Sequence, residues 1–303
     1  MTSTPQRPRD RIRAILARLL LLLFAIMPLW LSHAIGYLIG IIGNIVHNEM
    51  RYAARINIKL CMPQLSTVQQ LMLCRQYLIE TGKTFTETSA MLLWPRWLIL
   101  RQMKTVIGEE LVRQAQAEGK GVIFAIPHLG SWEMVGLYCS SRYPMTSLYR
   151  PARLQAMDSI IRRGRERFGA SLVPTDNRGV KALLKALSNG ETVAILPDQV
   201  PAQGQGLYAP FFGHSAYSAS LLSRLAQKTG AVVLFTYAER LSWGRGYRIH
   251  FLPAPEAINV ENLQQSVIAV NKGVEMCVRE CPQQYQWGYR RFKSQPPGQA
   301  EFY

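Results

Sequence analysis

Hydrophobic and polar positions follow two different patterns along the chain, and the change falls near residue 120. Between residues 51 and 120, apolar residues recur mostly at helical spacing, most clearly in the run VQQLMLCRQYLIETGKTFTETSAMLL. After Gly119, short β-rich apolar runs alternate with amphipathic stretches. This alternation predicts an α/β fold in which a mixed sheet is flanked by helices.

The pattern after Gly119 predicts five strands and three helices. The strands are residues 121–126, 145–149, 192–196, 231–240 and 247–254. The helices are residues 154–168, 180–187 and 219–228. Ligands of such sheets bind beyond the carboxyl ends of the strands. The segments that follow the first three strands, at 127–128, 150–151 and 197–199, are therefore the functional candidates.

Residues 14–46 form a long apolar segment in which Arg18 is the only formal charge. It is long enough for one bilayer crossing, but Pro28 divides it near the middle. A cleaved signal peptide would have a shorter apolar region and a small-residue cleavage site. Arginines lie on both flanks of the segment, whereas the positive-inside rule predicts an excess of cations on one flank of a spanning helix. They are Arg7, Arg9, Arg11 and Arg13 before the segment and Arg51 and Arg55 after it.

These features predict N-terminal membrane-associated helices, in the form of an in-plane or re-entrant pair with both ends on the cytoplasmic side. We assign residues 1–50 to this membrane anchor and residues 51–303 to a catalytic domain. A single-pass span and a buried soluble helix are the alternatives. The segment WPRWLIL, at residues 94–100, has the composition of either a membrane-interface element or a core helix.

Charge and cysteine content narrow the classes of partner. The net charge of +16 favours anionic partners such as nucleic acid, anionic lipid, phosphorylated substrates or an acidic carrier protein. The arginines are not interleaved with aromatic residues in a nucleic-acid-binding module, so we expect no nucleic acid partner. Five cysteines without a C-x-x-C pair argue against a disulfide scaffold. The chain also lacks an H-E-x-x-H zinc motif, a Walker A loop and a complete G-x-S-x-G elbow.

The segment HLGSWE carries the candidate chemistry at a strand-to-helix turn. Ser131 is a suitable N-cap, Glu133 would lie in the first helical turn, and Gly130 permits a tight turn that brings Glu133 toward His128. A carboxylate bonded to one imidazole nitrogen fixes the tautomer, and the other nitrogen can then take a proton from a hydroxyl. We therefore predict His128 as the base and Glu133 as the residue that orients it. The alternative is a strand-end histidine that satisfies backbone groups.

Several blocks beyond this motif carry a family resemblance. The blocks are HLGSWE, LYRP, GRERFGA, LPDQ, PFFG with SRLAQKTGAVV, QYQWGYRRFK, the upstream NIKLCMPQLS and the closing EFY. In order and spacing they resemble the lipid A late acyltransferases, which belong to the glycerophosphate and lysophospholipid acyltransferase superfamily. The resemblance spans nearly the whole chain.

The resemblance implies transfer of an acyl chain from acyl carrier protein, or from acyl coenzyme A, to a hydroxyl of a lipid A precursor. It implies a protein of the bacterial inner membrane with its catalytic domain on the cytoplasmic face, without metal or cofactor. His128 and Glu133 match the catalytic pair. Arg150, Arg165 and Asp198 match the family's residues near the substrate, and we predict a substrate-binding role for them.

The sequence is compatible with several alternative functions and residue roles. The acceptor could be another lipid, such as a lysophospholipid, an ornithine lipid or a glycolipid, and a non-catalytic membrane scaffold is a hypothesis of a different class. Asp198 could position an arginine or cap a loop. The apolar segment 209–213 could line an acyl channel or belong to the core.

Overall fold

The computed structural model of the chain describes residues 8–152 and 154–303, so the flanking Arg7 lies outside the described residues. The helices are α1 (Pro8–Ala25), α2 (Leu29–Ile45), α3 (Glu49–Cys61), α4 (Thr67–Leu93), α5 (Arg96–Gln102), α6 (Glu110–Ala117), α7 (Trp132–Arg142), α8 (Gln155–Glu166), α9 (Asn177–Ser188), α10 (Leu221–Thr229) and α11 (Leu263–Glu280). The strands are β1 (Met103–Ile107), β2 (Val122–Ala125), β3 (Met145–Tyr149), β4 (Ala170–Pro174), β5 (Thr192–Ile195), β6 (Gly206–Phe211), β7 (His214–Ala219), β8 (Val232–Arg240) and β9 (Tyr247–Pro253).

Seven strands form one mixed sheet in the order β1-β9-β8-β2-β5-β3-β4, and β6 pairs with β7 in a separate antiparallel hairpin. The central strands β8, β2, β5, β3 and β4 are mutually parallel, whereas β9 runs antiparallel to β8 and parallel to β1. The α/β prediction with a mixed sheet and flanking helices is confirmed. Parallel neighbours bring their carboxyl ends to one edge of the sheet, and that edge positions the site.

The two faces of the sheet are covered by different helices. Alternate side chains of β2 point to opposite sides, so that Ile123 packs with α9, α10 and α11 while Phe124 packs with α7. Helix α8 packs against α7 and α4 on the second side. The five cysteines are all buried and unpaired by disulfides.

All five predicted strands are present, within two residues at each end, and the three predicted helices match α8, α9 and α10 within three. Three strand regions were missed. Residues 103–107 were included among helices, yet this β-branched run forms the edge strand β1. Strand β4 and the β6–β7 hairpin lie in segments too short or too polar to show a clear two-residue period.

The N-terminal helices α1 and α2 pack against α4. The contact between α2 and α4 is close because a Cβ added at Gly40 would lie 2.3 Å from the Cα atom of Ile79. Helix α4 begins with a complete capping box formed by Ser66 and Gln69. Whether residue 50 marks a domain boundary stays a prediction.

Large apolar side chains remain exposed along the outer surface of α1 and α2. They include Ile12, Leu16, Leu19, Leu23, Trp30, Leu38 and Ile42. Among the described residues, none of the helices is by itself long and apolar enough to cross a membrane; α2 and α3 reach that measure only together, and they are bent by 80° where they meet.

Candidate active site

His128 and Asp198 meet at the carboxyl edge of the sheet. Strands β2 and β5 are parallel neighbours, and Ala125 is paired in register with Ile195. His128 and Asp198 each come three residues after this pair, which places them side by side. Nδ1 of His128 lies 2.7 Å from Oδ1 of Asp198, and the backbone N–H of His128 donates to Oδ2 at 2.9 Å.

The carboxylate of Asp198 is held in its charged form. Its side chain is only 2 % exposed, and burial by itself would raise its pKa. The imidazole of His128 and the hydrogen bonds that Asp198 accepts outweigh burial, so the pKa of Asp198 lies below its ordinary value. A carboxylate on Nδ1 assigns that nitrogen as the protonated one, because the anion can only accept.

The second imidazole nitrogen of His128 opens toward a cavity. The side chain of His128 is 14 % exposed, and the ring of Trp132 lies beside it at 5.2 Å between centroids. The amide nitrogen of Gln199 lies 3.2 Å from Nε2 of His128 and 3.1 Å from Oε1 of Gln286. The amide nitrogen of Gln199 has two hydrogens and can donate to both atoms. A ring nitrogen that accepts from an amide carries a lone pair and no proton, which is the state a general base requires.

The predicted bond between Glu133 and His128 is wrong, since the carboxylate on the imidazole is that of Asp198. Glu133 lies in the first turn of α7, as predicted, but its two oxygens accept hydrogen bonds from Arg165 of α8. The Nε atom of Arg165 donates to Oε2 at 2.9 Å, and Nη2 donates to Oε1. The first turn of α7 carries the carboxylate toward α8, where a guanidinium offers two donors in matching geometry.

The Glu133–Arg165 pair keeps a cation in the cavity wall. Burial would lower the pKa of Arg165, but the charge and hydrogen bonds of Glu133 more than compensate and raise it. Arg165 therefore remains charged beside the ring of Tyr149, at 5.7 Å from its centroid. The net charge of the pair is zero, and its polar atoms face the same cavity as His128.

The turn after His128 is fixed to β8. Gly130 has a φ of +63°, and a Cβ at this position would lie 2.0 Å from the carbonyl oxygen of Ala238. The N–H of Gly130 donates to the carbonyl of Gln284, and the N–H of Ser131 donates to that of Ala238. Ser131 occupies the N-cap position of α7, but its side chain makes no capping hydrogen bond.

A cavity of about 790 Å³ extends from His128 between α7, α9 and the carboxyl ends of the central strands. Arg150 and Arg224 line it together with the Glu133–Arg165 pair, and Arg150 is exposed. Much of the remaining wall is apolar and includes Leu137, Met145, Leu148, Leu172, Ile195 and Leu221. Its volume falls in the range of pockets that bind small ligands and cofactors.

Two sequence-based alternatives are decided by this geometry. Asp198 does not cap a loop alone, because its side chain bonds the ring of His128. No residue of the segment 209–213 lines the cavity, and Phe211, at the end of β6, is 1 % exposed in the core. Among the described residues, no three His, Cys, Asp or Glu side chains converge in a group that could hold a metal ion.

The structure also brings together two residues without an assigned role. Gln199 is a functional candidate only through its place in the segment 197–199 after the third predicted strand, and Gln286 lies in the block QYQWGYRRFK. Their contact crosses 87 positions in the chain, so spacing could not reveal it. The signal for Gln199 was its place after the carboxyl end of a strand, and Gln286 has no comparable signal in the sequence.

The fold and the site together place a carboxylate-held imidazole beside a partly apolar cavity. The family model of the bacterial lipid A biosynthesis acyltransferase matches residues 7–294. Because the match covers most of the chain, this protein belongs to that family.

Three relatives align with this chain over most of their own length. The chain is 29 % identical over 273 residues to a lipid A biosynthesis palmitoleoyltransferase of Escherichia coli, with 89 % of this chain and 87 % of the relative aligned. It is 28 % identical to a lipid A biosynthesis lauroyltransferase of Escherichia coli, with 88 % of each aligned. A lipid A biosynthesis acyltransferase of Haemophilus influenzae is 28 % identical over 288 residues, with 92 % of this chain and 87 % of the relative aligned.

Proposed function

We propose that this acyltransferase moves a fatty acyl chain from the thioester of acyl carrier protein to a hydroxyl of a lipid A precursor, with His128 as the general base. One observation carries the proposal: Nε2 of His128 opens into a partly apolar cavity while Asp198 holds Nδ1. The family membership supports lipid A biosynthesis as the setting.

The arrangement supports a direct transfer in which the acceptor supplies the nucleophile. Nε2 of His128 takes the proton of the acceptor hydroxyl as its oxygen attacks the thioester carbonyl. The C–O bond forms, the C–S bond of the tetrahedral intermediate breaks, and the imidazolium returns the proton to the leaving thiolate. Asp198 stabilises the imidazolium during the step, so no charge on the protein is left uncompensated.

The arginines of the cavity serve substrate binding in this proposal. Arg165 presents a guanidinium that Glu133 fixes in position, and the exposed Arg150 follows β3 at the rim. Asp158 holds the segment after Arg150, because it accepts hydrogen bonds from the hydroxyl of Tyr149 at 2.7 Å and from the N–H of Ala152 at 2.8 Å. Both cations suit a phosphate of the acceptor or the negative charge of the intermediate.

The proposed location is the cytoplasmic face of the bacterial inner membrane. The exposed apolar side chains of α1 and α2 support attachment to lipid, since a row of this kind is unfavourable in water. An attached enzyme would receive its lipid acceptor from the bilayer. The net charge of +16 supports an acidic protein as the acyl donor.

A direct test supplies purified protein with acyl carrier protein thioesters and a panel of acceptors: a lipid A precursor, a lysophospholipid, an ornithine lipid and a glycolipid. Mass spectrometry of the products should show one added acyl chain on the lipid A precursor. Transfer to lysophospholipid but not to the lipid A precursor would contradict the proposed acceptor.

The His128→Ala variant tests the chemistry in the same assay. We expect kcat to fall by about 10²–10⁴-fold, which is the usual contribution of a general base. The control is Lys104→Ala. Lys104 is exposed on the edge strand β1, so its substitution should leave the rate unchanged. Full activity of His128→Ala would show that His128 is not the base, whereas absence of transfer by the wild type to every acceptor would favour the scaffold hypothesis.

A further inference from the structure

Helices α9 and α10 present a basic face beside the mouth of the cavity. We propose that this face docks the acidic carrier protein that delivers the acyl chain; the inference rests on the proposed function and adds the place where the donor binds. Arg178, Lys181 and Lys185 are exposed on α9, and Arg224 and Lys228 are exposed on α10.

The spacing along each helix places these cations on one outer surface. In α9 the exposed cations are separated by three and four residues, while Leu183 and Leu187 point into the core. In α10, Arg224 and Lys228 are four residues apart, and Leu222 and Ala226 are buried on the opposite side. Because α9 packs against α10, the two rows form a single surface.

This charge is mostly unneutralised by the chain itself. Asp176 pairs with Arg178 at 2.9 Å, whereas no ion pair among the described residues involves Lys181, Lys185 or Lys228. Arg224 donates from Nε to the hydroxyl of Ser220, which is neutral. The surface therefore has charge available for an external anion.

The basic face continues directly into the catalytic cavity. Asn177 and Val180 of α9 and Arg224 of α10 line the cavity, so a partner bound to this face lies at its mouth. The apolar helix α1 lies on the other side, where Arg18 donates to the carbonyl of Ala156 at the start of α8. Donor and lipid acceptor could then reach His128 from different sides without excluding each other.

The chemistry of the face favours a protein over a bilayer as the partner. A helix that lies on a membrane carries exposed large apolar residues beside its cations. Residues 177–188 and 221–229 expose no large hydrophobic side chain, whereas α1 and α2 expose many. An acidic protein surface needs only opposite charge for steering and register, and the attached acyl arm supplies the apolar contact.

The test compares two donors that carry the same acyl chain, one on acyl carrier protein and one on pantetheine alone. The variant is Lys181→Glu with Lys185→Glu, neither of which lines the cavity. The matched control is Lys104→Glu with Arg113→Glu, which changes the net charge equally on β1 and α6. Full-length proteins are assayed at several salt concentrations.

We expect the α9 variant to raise KM for acyl carrier protein by about tenfold or more at low salt, with a weaker dependence on salt and an unchanged kcat. Its KM for acyl pantetheine and the behaviour of the control should stay at the wild-type values. An equal loss with both donors, an equal loss in the control, or reduced binding to anionic vesicles with an unchanged KM would each overturn the docking proposal. Failure of the wild type to acylate the lipid A precursor from either donor would instead refute the proposed function.

Discussion

Two hydrogen-bonded pairs of side chains with little exposure lie beside the turn at residues 128–131, and they are built differently. The first is the His128–Asp198 pair at the cavity. The second is the pair of Arg240 and Glu87, whose side chains are each 1 % exposed. Arg240 also bonds Glu80 at 2.8 Å, and the hydroxyl of Tyr247 donates to Glu87 at 2.7 Å.

The difference lies in whether the polar atoms of each pair face only protein groups or also the cavity. Arg240 directs all of its nitrogens to protein acceptors, and Glu87 accepts from Arg240, Tyr247 and His33. Asp198 holds one nitrogen of His128, and the other faces the cavity with the amide of Gln199 3.2 Å away. The closed pair suits a structural role and the open pair suits chemistry, although each includes a carboxylate taken out of water.

The closed pair also supports the open one. The backbone N–H of Arg240 donates to the side chain of Gln284 at 2.8 Å, and the carbonyl of Gln284 accepts from the N–H of Gly130. The turn that follows His128 therefore rests on the strand end that Glu87 and Glu80 hold. Changing each pair should separate the two roles.

The largest expected effect on activity in this comparison comes from Asp198→Asn. The amide keeps the shape but cannot stabilise an imidazolium, so we expect kcat/KM to fall by about 10²–10⁴-fold while the fold is retained. Because the pKa of Asp198 is lowered, the wild-type carboxylate stays charged at every pH above its ordinary range. The Asn variant should thus be slower than the wild type at both pH 6 and pH 9 in steady-state kinetics; a deficit that vanishes at pH 6 would contradict the assignment.

Breaking the Arg240–Glu87 pair should lower the free energy of unfolding and should not specifically lower kcat. Glu87→Ala leaves Arg240 buried without its main partner, which typically costs about 3–5 kcal/mol. Thermal unfolding should show a clearly lower midpoint. Glu118→Ala, which breaks the exposed pair with Lys120, is the control and should leave the midpoint unchanged. An unaltered midpoint in Glu87→Ala would mean that the network does not hold the turn.

The smallest of the three effects is expected from Glu133→Gln. The amide removes the charge that fixes Arg165, so we expect kcat/KM to fall by about tenfold, mainly through KM, because substrate positioning is lost. The control is Glu166→Gln on α8, the helix that carries Arg165; it breaks the more exposed pair with Arg162 and should have no effect. A loss as large as that of His128→Ala would show that Glu133 acts on the base directly, as the motif alone suggested.

The fold was largely predictable because its signals are local. Strands 145–149 and 192–196 are short apolar runs between turn residues, and Gly230 ends α10 in the left-handed conformation, as its position suggested. The edge strand β1 was not predictable, since its pairing with β9 joins segments more than a hundred residues apart. The positions of the candidate residues at strand ends followed from the parallel sheet.

The partners of those residues were harder to predict. A carboxylate five residues after His128 is the nearest one in sequence, yet the neighbouring strand brings Asp198 closer in space. Register between β2 and β5 decides this contact, and register depends on how whole strands pair rather than on any short motif.

By itself, the sequence determined the class of fold, the family and the edge of the sheet where the chemistry lies, because periodicity, turn residues and motif blocks are properties of neighbouring positions. The tertiary structure alone decided that Asp198 contacts His128, that Glu133 holds Arg165, and that α9 packs against α10 beside the cavity. These contacts join residues far apart in the chain, and only the packing of helices on a registered sheet brings them together.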